Sequence, residues 1–216
     1  MDVAVAGGHG KIGMALLRLL AQDGHRARGL IRNEDQAGSL RAAGVEPAVI
    51  DLEIDSVGDV SIAIRGADAV VFAAGAGPGS GEERKRTMDF GGAVKLIEAA
   101  QQERIRRYVM VSAMGARDPA STGAEGVFRV YLEAKHDADV ALSASGLDYT
   151  IVRPGMLTDD APTGRVAIAE SVERGEVPRA DVAAVLMAAL ETPATIGRTF
   201  ELVGGDTPIA EALAAL

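Results

Sequence analysis

The chain has 216 residues, 48% hydrophobic and 25% charged, an ordinary balance for one globular domain with a large core. Its 22 Lys and Arg stand against 31 Asp and Glu, a formal charge of −9 that repels phosphate backbones and argues against nucleic acid as a partner. The absence of cysteine excludes disulfides, a thiolate nucleophile and cysteine-held metal.

The first predicted strand, Asp2–Ala6, begins almost at the first residue, which is expected of a cytoplasmic chain without a signal or transit peptide. Gly7-Gly8-His9-Gly10-Lys11-Ile12-Gly13 follows it and opens a helix whose predicted apolar stripe is Ile12, Leu16, Leu19 and Leu20. Glycines at 7, 10 and 13 allow a sharp turn, a close approach of backbone to a pyrophosphate, and tight helix–strand packing. The helix N-terminus adds unpaired N–H groups and a partial positive charge, so this segment is expected to bind a dinucleotide. Lys11 is expected near the phosphates or else solvated, and His9 in solvent.

The second strand, Arg26–Arg32, ends in Arg32-Asn33, where an NAD enzyme carries an acid for the ribose 2′-hydroxyl. Arginine there suits the 2′-phosphate of NADP through charge-assisted hydrogen bonds. Glu34 or Asp35 remain candidates for the NAD role, but Asn33 and Gln36 read as a helix cap that puts both acids in a first turn. NADP is therefore the favoured cofactor, with NAD second. A third strand, Glu46–Ile50, leads to Asp51-Leu52.

The fourth strand, Asp68–Ala74, is a continuous apolar run, as expected when helices cover both sheet faces. Ala69–Gly81 is the longest stretch without Asp, Glu, Lys or Arg. Its 13 residues and four glycines fall short of the roughly 20 apolar residues of a bilayer-spanning helix. Gly75–Arg86 is read as irregular, followed by a helix with Phe90, Val94 and Ile97 as its stripe. The fifth strand, Arg107–Ser112, precedes a second irregular segment, Gly115–Gly126, and a helix carrying Tyr131 and Lys135. After a sixth strand, Tyr149–Val152, a third irregular stretch runs from Pro154 to about Pro178. The helix Arg179–Leu190, a strand Arg198–Val203 and a last helix complete the chain. This alternation predicts an α/β fold, one doubly wound parallel sheet over residues 1–216. The segments at about 75–86, 115–126 and 154–178 begin at strand carboxyl ends and are expected to wall the site.

Spacing of four places Tyr131 and Lys135 on one helix face. A free phenol, with pKa about 10, is a poor acid–base at neutral pH, and an ammonium beside it favours the phenolate. The basic run Arg84-Lys85-Arg86 could attract an anion but reads more simply as a solvated charged loop.

With these segments in place the chain resembles the short-chain dehydrogenase/reductase superfamily, in its atypical epimerase/dehydratase-like branch. The resemblance covers essentially the whole length through GGHGKIG, GLIRN, VVFAAGAG, MDFGGAVKLIEAA, RRYVMVSA, YLEAKHDADVALSASGLDYTIVRPGML and PRADVAAVL. It implies a Rossmann-like NAD(P)-binding domain with adenine contacts from Asp51 and Leu52, a backbone wall from Ala73, Ala74 and Gly75, and nicotinamide-side contacts from Pro154 and Gly155. Tyr131 and Lys135 match its YxxxK, with Tyr131 as the proton donor or acceptor and Lys135 tuning it and holding the nicotinamide ribose. Ser112 stands where the superfamily has a carbonyl-polarising serine, although Ala113 and Met114 follow where further hydroxyls are common. Asp89 stands at its active-site asparagine position and would serve equally as a first-turn acid. His136 is expected off the Tyr–Lys face.

The expected function is an NADP(H)-dependent oxidoreductase acting on a small carbonyl, quinone or flavin, or epimerase/dehydratase-like chemistry. About 65 residues after the sixth strand leave little for grasping a nucleotide sugar. The alternative is a non-catalytic NADP-sensing protein, which would have no need of Tyr131. A small-molecule substrate is expected, with neither nucleic acid nor membrane as partner. A helix-mediated homodimer is an option that the resemblance offers and the sequence does not decide.

Overall fold

Apolar strands followed by amphipathic helices bury best as a sheet covered on both sides, and the computed structural model, which describes residues Met1–Leu216, has this arrangement. The first half comprises β1 (Asp2–Ala6), α1 (Lys11–Gln22), β2 (Arg26–Ile31), α2 (Ala37–Ala42), β3 (Glu46–Val49), α3 (Val57–Ile64) and β4 (Ala69–Phe72). Next come α4 (Glu82–Arg84), a π-helical turn Lys85–Gly92, α5 (Ala93–Gln102), β5 (Arg107–Val111), α6 (Gly126–Ser143) and β6 (Asp148–Pro154). The last part holds β7 (Met156–Thr158), β8 (Arg165–Ala169), β9 (Glu176–Pro178), α7 (Arg179–Glu191), β10 (Arg198–Gly204), β11 (Thr207–Pro208) and α8 (Ile209–Ala214).

The main sheet runs β11-β8-β10-β6-β5-β4-β1-β2-β3. From β3 to β10 all neighbours are parallel, while β8 is antiparallel to β10 and to β11. Strand alternation divides the core. Val3, Val5, Val71 and Val109 face a layer built from α1, α2, α7 and α8. Ala4, Ala6, Phe72 and Met110 face a layer built from α3, α5 and α6. The chain reverses its direction of travel across the sheet between β1 and β4, so the crevice above these two carboxyl ends is the expected ligand position of such folds.

All seven expected strands are present. The segment from Pro154 onward differs from expectation, because it contains β7, β8 and β9 rather than a continuous loop. β7 and β9 form their own two-stranded parallel sheet, and β8 extends the main sheet through β10. Glycine content also misled the reading of Gly75–Arg86, whose last residues are already helical from Glu82. Gly115–Gly126 contains a 3-10 turn at Pro119–Thr122. The buried stripe of α1 uses Leu17 in place of Leu19. In α5 the buried face is Ala93, Leu96, Ile97, Ala99 and Ala100, since the π turn before it rotates the helix relative to a regular 3.6-residue period.

Candidate active site

The crevice is a cavity of about 910 Å³, at the upper end of the range for small-molecule and cofactor sites. Its floor is the loop between β1 and α1. Gly7 has φ +81°, and a Cβ there would lie 2.8 Å from the Ala73 carbonyl oxygen, so this turn needs glycine and brings the β4 exit against it. A Cβ at Gly13 would lie 2.2 Å from the Gly7 carbonyl oxygen, so Gly13 serves helix–loop packing and does not line the cavity. Gly10 does line it, caps α1 with extended backbone, and accepts the first helical hydrogen bond from Met14 N at 2.8 Å. The N–H groups of Lys11, Ile12 and Gly13 are left without an intrahelical acceptor. These donors, the open glycine surface and the helix dipole fit the diphosphate of a dinucleotide.

Lys11 and Ile12 also line the cavity, but the Lys11 ammonium is paired with Asp159, which Arg179 also binds at 2.7 Å. The hydrogen bond from Lys11, aided by Arg179, holds the Asp159 carboxyl below the usual carboxylate range. His9 is exposed at the cavity edge.

At one end stand Arg32, Asp51 and Leu52, all on the cavity wall. Arg32 is exposed and its guanidinium makes no hydrogen bond or ion pair. Glu34 and Asp35 occupy the 3-10 turn Glu34–Gln36 and do not line the cavity. Asn33 precedes that turn with extended backbone, although its side chain makes no capping bond. The Asp51 carboxylate accepts from Glu53 N at 2.9 Å, a local turn contact.

At the other end, α6 and the π turn face each other over the ends of β4 and β5. Lys135 and Asp89 are almost wholly buried and form an ion pair at 3.3 Å. Lys135 Nζ also donates to the Val111 carbonyl at 3.1 Å, and it stands 5.9 Å from the Tyr131 ring centroid. Asp89 accepts from Ala76 N at 3.2 Å, which ties the β4 exit to the π turn. Asp89 is therefore a buried counter-ion, whereas the sequence offered a first-turn acid as one option.

Burial pushes the Tyr131 phenol above its ordinary value, and Asp89 and Asp139 add to this, while Lys135 pulls the other way. The sequence expectation of a net lowering is reversed, because desolvation of the buried phenol outweighs the pull of the lysine's charge. A protonated phenol is a proton donor.

Ser112 is buried at the end of β5 and lines the cavity, but its hydroxyl donates to Asp139 at 2.9 Å. Arg153 Nε donates to the same carboxylate oxygen at 2.9 Å. Burial raises the Asp139 carboxyl, opposed by Arg153 and Ser112. The Ser112 hydroxyl is thus tied into this network from a position on the cavity wall. Asp139 lies four residues beyond Lys135, so the spacing Tyr131, Lys135, Asp139 marks one face of α6 and was legible in the sequence. Arg153 carries no such local signal. His136 Nδ1 lies 2.9 Å from the Ala116 carbonyl, off the Tyr–Lys face as expected.

Ala73, Ala74 and Gly75 form cavity wall. Pro154 and Gly155, expected on the nicotinamide side, do not. The Pro154 carbonyl accepts from Met114 N, and a Cβ on Gly155 would lie 2.3 Å from the Gly175 carbonyl oxygen, so both are packed between β5, β9 and β10. Leu157 of β7 and Arg179 take that side of the cavity.

The sequence pattern of the NAD(P)H-binding family matches residues 7–193, from the glycine loop through α7. The chain belongs to the NAD(P)H-binding family. Among its relatives, the uncharacterised sugar epimerase YhfK of Bacillus subtilis is 42% identical over 217 residues, covering 100% of both chains. A solved structure from Bacillus halodurans, provisionally named an NAD-dependent epimerase/dehydratase, superposes with a TM-score of 0.93 at 41% identity, again over 100% of both. The anaerobillin reductase ChuY of Escherichia coli O157:H7 superposes with a TM-score of 0.82 at 28% identity, over 95% of this chain and 98% of its own. No helix of the chain is long and apolar enough to cross a membrane.

Proposed function

We propose that the chain is an NADP(H)-dependent oxidoreductase that works in the reducing direction on a small carbonyl, quinone or flavin-like acceptor. The observation that carries this reading is the Tyr131–Lys135–Asp89 group, set in the same cavity as the glycine loop. A bound nicotinamide dinucleotide supplies the hydride. Gly7, Gly10 and the α1 N-terminus hold its diphosphate, and Arg32 takes the 2′-phosphate. Arg32 supports NADP over NAD because it is an unpaired cation on the cavity wall, while Glu34 and Asp35 lie outside it. Tyr131 gives its proton to the acceptor oxygen, or to a ring nitrogen of a flavin, and Lys135, fixed by Asp89 and the Val111 carbonyl, keeps the phenolate left behind from being an isolated buried charge. Epimerisation or dehydration through a transient hydride step would use the same residues.

The test is NADPH oxidation by the purified protein against a panel of quinones, flavins, aldehydes and ketones, in the wild type and in Tyr131→Phe. A positioned proton donor contributes roughly 10²- to 10⁴-fold, so kcat should fall by that order while NADPH affinity stays unchanged. An unchanged kcat in the variant removes Tyr131 from the chemistry. Tight NADPH binding without turnover of any acceptor overturns the reductase reading and leaves a redox-neutral epimerase or an NADP sensor.

A further inference from the structure

Lys85 is a buried cation in the cavity for which the proton-transfer group has no use. It begins the π-helical turn, its side chain lines the cavity, and only 8% of the residue is exposed. π turns within helices recur at functional sites because they break the regular side-chain register. Its neighbours in the basic run are accounted for elsewhere. Arg84 pairs with Glu53 at 2.9 Å and donates to the Ala76 carbonyl, and Arg86 is exposed away from the cavity.

The two buried ammonium groups near Tyr131 differ in their partners. Lys135 has Asp89. Lys85 forms no ion pair; its Nζ donates to the Gly77 carbonyl at 2.9 Å and stands 5.2 Å from the Tyr131 ring centroid. An ammonium carries three donors, so two remain without a protein acceptor, and a buried charge in that condition is costly unless a ligand completes it.

Beside it on the cavity wall stand two aromatic rings. The Phe128 ring stacks on Tyr131 with centroids 5.9 Å apart and 24° between planes, yet Phe128 is 57% exposed at the cavity edge. Val127 lies next to it, 40% exposed. An exposed aromatic on a cavity wall is a stacking platform waiting for a planar partner.

We infer that Lys85 is a specificity-determining residue that binds the anionic group of the substrate, and that the substrate is a planar, conjugated carboxylate lying along Phe128 and Tyr131. This names the substrate class of the oxidoreductase proposed above and rests on reading the cavity as that enzyme's. Neutral acceptors of the same shape use the aromatic wall alone and bind more weakly.

The experiment is a calorimetric binding titration that needs no turnover. Protein loaded with NADP⁺, which has no hydride to give, is titrated with 4-formylbenzoate and its methyl ester, and with cinnamate and its methyl ester. The wild type should bind each carboxylate about ten- to a hundredfold more tightly than its ester, the scale of one charge-assisted hydrogen bond. Lys85→Met should bring the carboxylates down to the level of the esters, and Lys85→Arg should keep part of the preference. Loss of the Gly77 contact alone would weaken acid and ester equally, so the ratio between them reports the charge. A wild type without carboxylate preference, or a preference that survives Lys85→Met, overturns the inference. Because the readout is binding, an inactive protein that still selects carboxylates sinks the oxidoreductase reading and leaves Lys85 as the carboxylate-binding residue of the cavity.

Discussion

Replacing Asp89 by Asn tests whether the Lys135 ammonium depends on a single buried counter-ion. Both partners are inside the protein, 3.3 Å apart, with side chains 1% and 4% exposed. Removing one member of a buried ion pair costs about 3–5 kcal/mol, because the other charge is left without compensation. The amide of Asp89→Asn can still accept from Ala76 N, but it then turns an N–H₂ donor toward an ammonium, so only the contact to Ala76 is preserved. The lower end, about 3 kcal/mol, is the expected loss. For a chain of this size each kcal/mol shifts Tm by about 2–4 °C, which gives a fall of about 6–12 °C in a thermal unfolding scan at neutral pH. The double variant with Lys135→Met removes the orphaned charge, and a cycle of the two single variants and the double should return a coupling of at least about 1 kcal/mol. A Tm within about 2 °C of wild type for Asp89→Asn, or a double variant as unstable as the sum of the singles, would refute the buried-pair argument.

Two further outcomes follow from the same contacts. Arg32→Ala should weaken NADPH binding about ten- to a hundredfold, the scale of a lost charge-assisted contact, and leave NADH nearly unchanged. Fluorescence titration of both nucleotides measures this, and an equal loss for the two sinks the 2′-phosphate assignment. Burial pushes both the Tyr108 and Tyr131 phenols above the ordinary tyrosine value of 10.0. A folded-state pKa raised above the unfolded one contributes stability that is complete below pH about 10 and is lost as pH rises through the folded value. The unfolding free energy should therefore be insensitive to these groups up to about pH 9 and decline above about pH 10. Combining Tyr108→Phe with Tyr131→Phe should flatten that decline, and an unaltered alkaline limb in denaturant titrations would count against it.

Local pattern was enough for the seven-stranded parallel part of the sheet and for the glycine loop. Alternation of apolar strands with amphipathic stripes is a property of short windows, and the seven strands it predicts are all found. Gly7 and Gly13 are needed for contacts made within a few residues, or with the adjoining strand exit, so their spacing is visible in the chain itself. The Tyr131–Lys135 pairing is likewise one turn of one helix, and Asp139 extends it by another.

What lay beyond those windows was settled by packing across distant segments. Short strands β7, β8 and β9 have little propensity signal of their own and exist because β10 and one another supply their partners. Asp89 becomes a counter-ion only where the π turn meets α6, and that meeting, together with burial, decides the protonation of Tyr131 against what its neighbouring lysine alone would do. Ser112 is drawn to Asp139 by a contact 27 positions along the chain, and Pro154 and Gly155 are drawn away from the cavity by β9 and β10. Sequence thus determined the fold class and the turn of the glycine loop, because both depend on periodicity and backbone sterics over a few residues. Which charges are paired, and that the buried Lys85 is left in the cavity without an ion pair, was decided only by the tertiary structure, because desolvation and ion pairing depend on what is close in space.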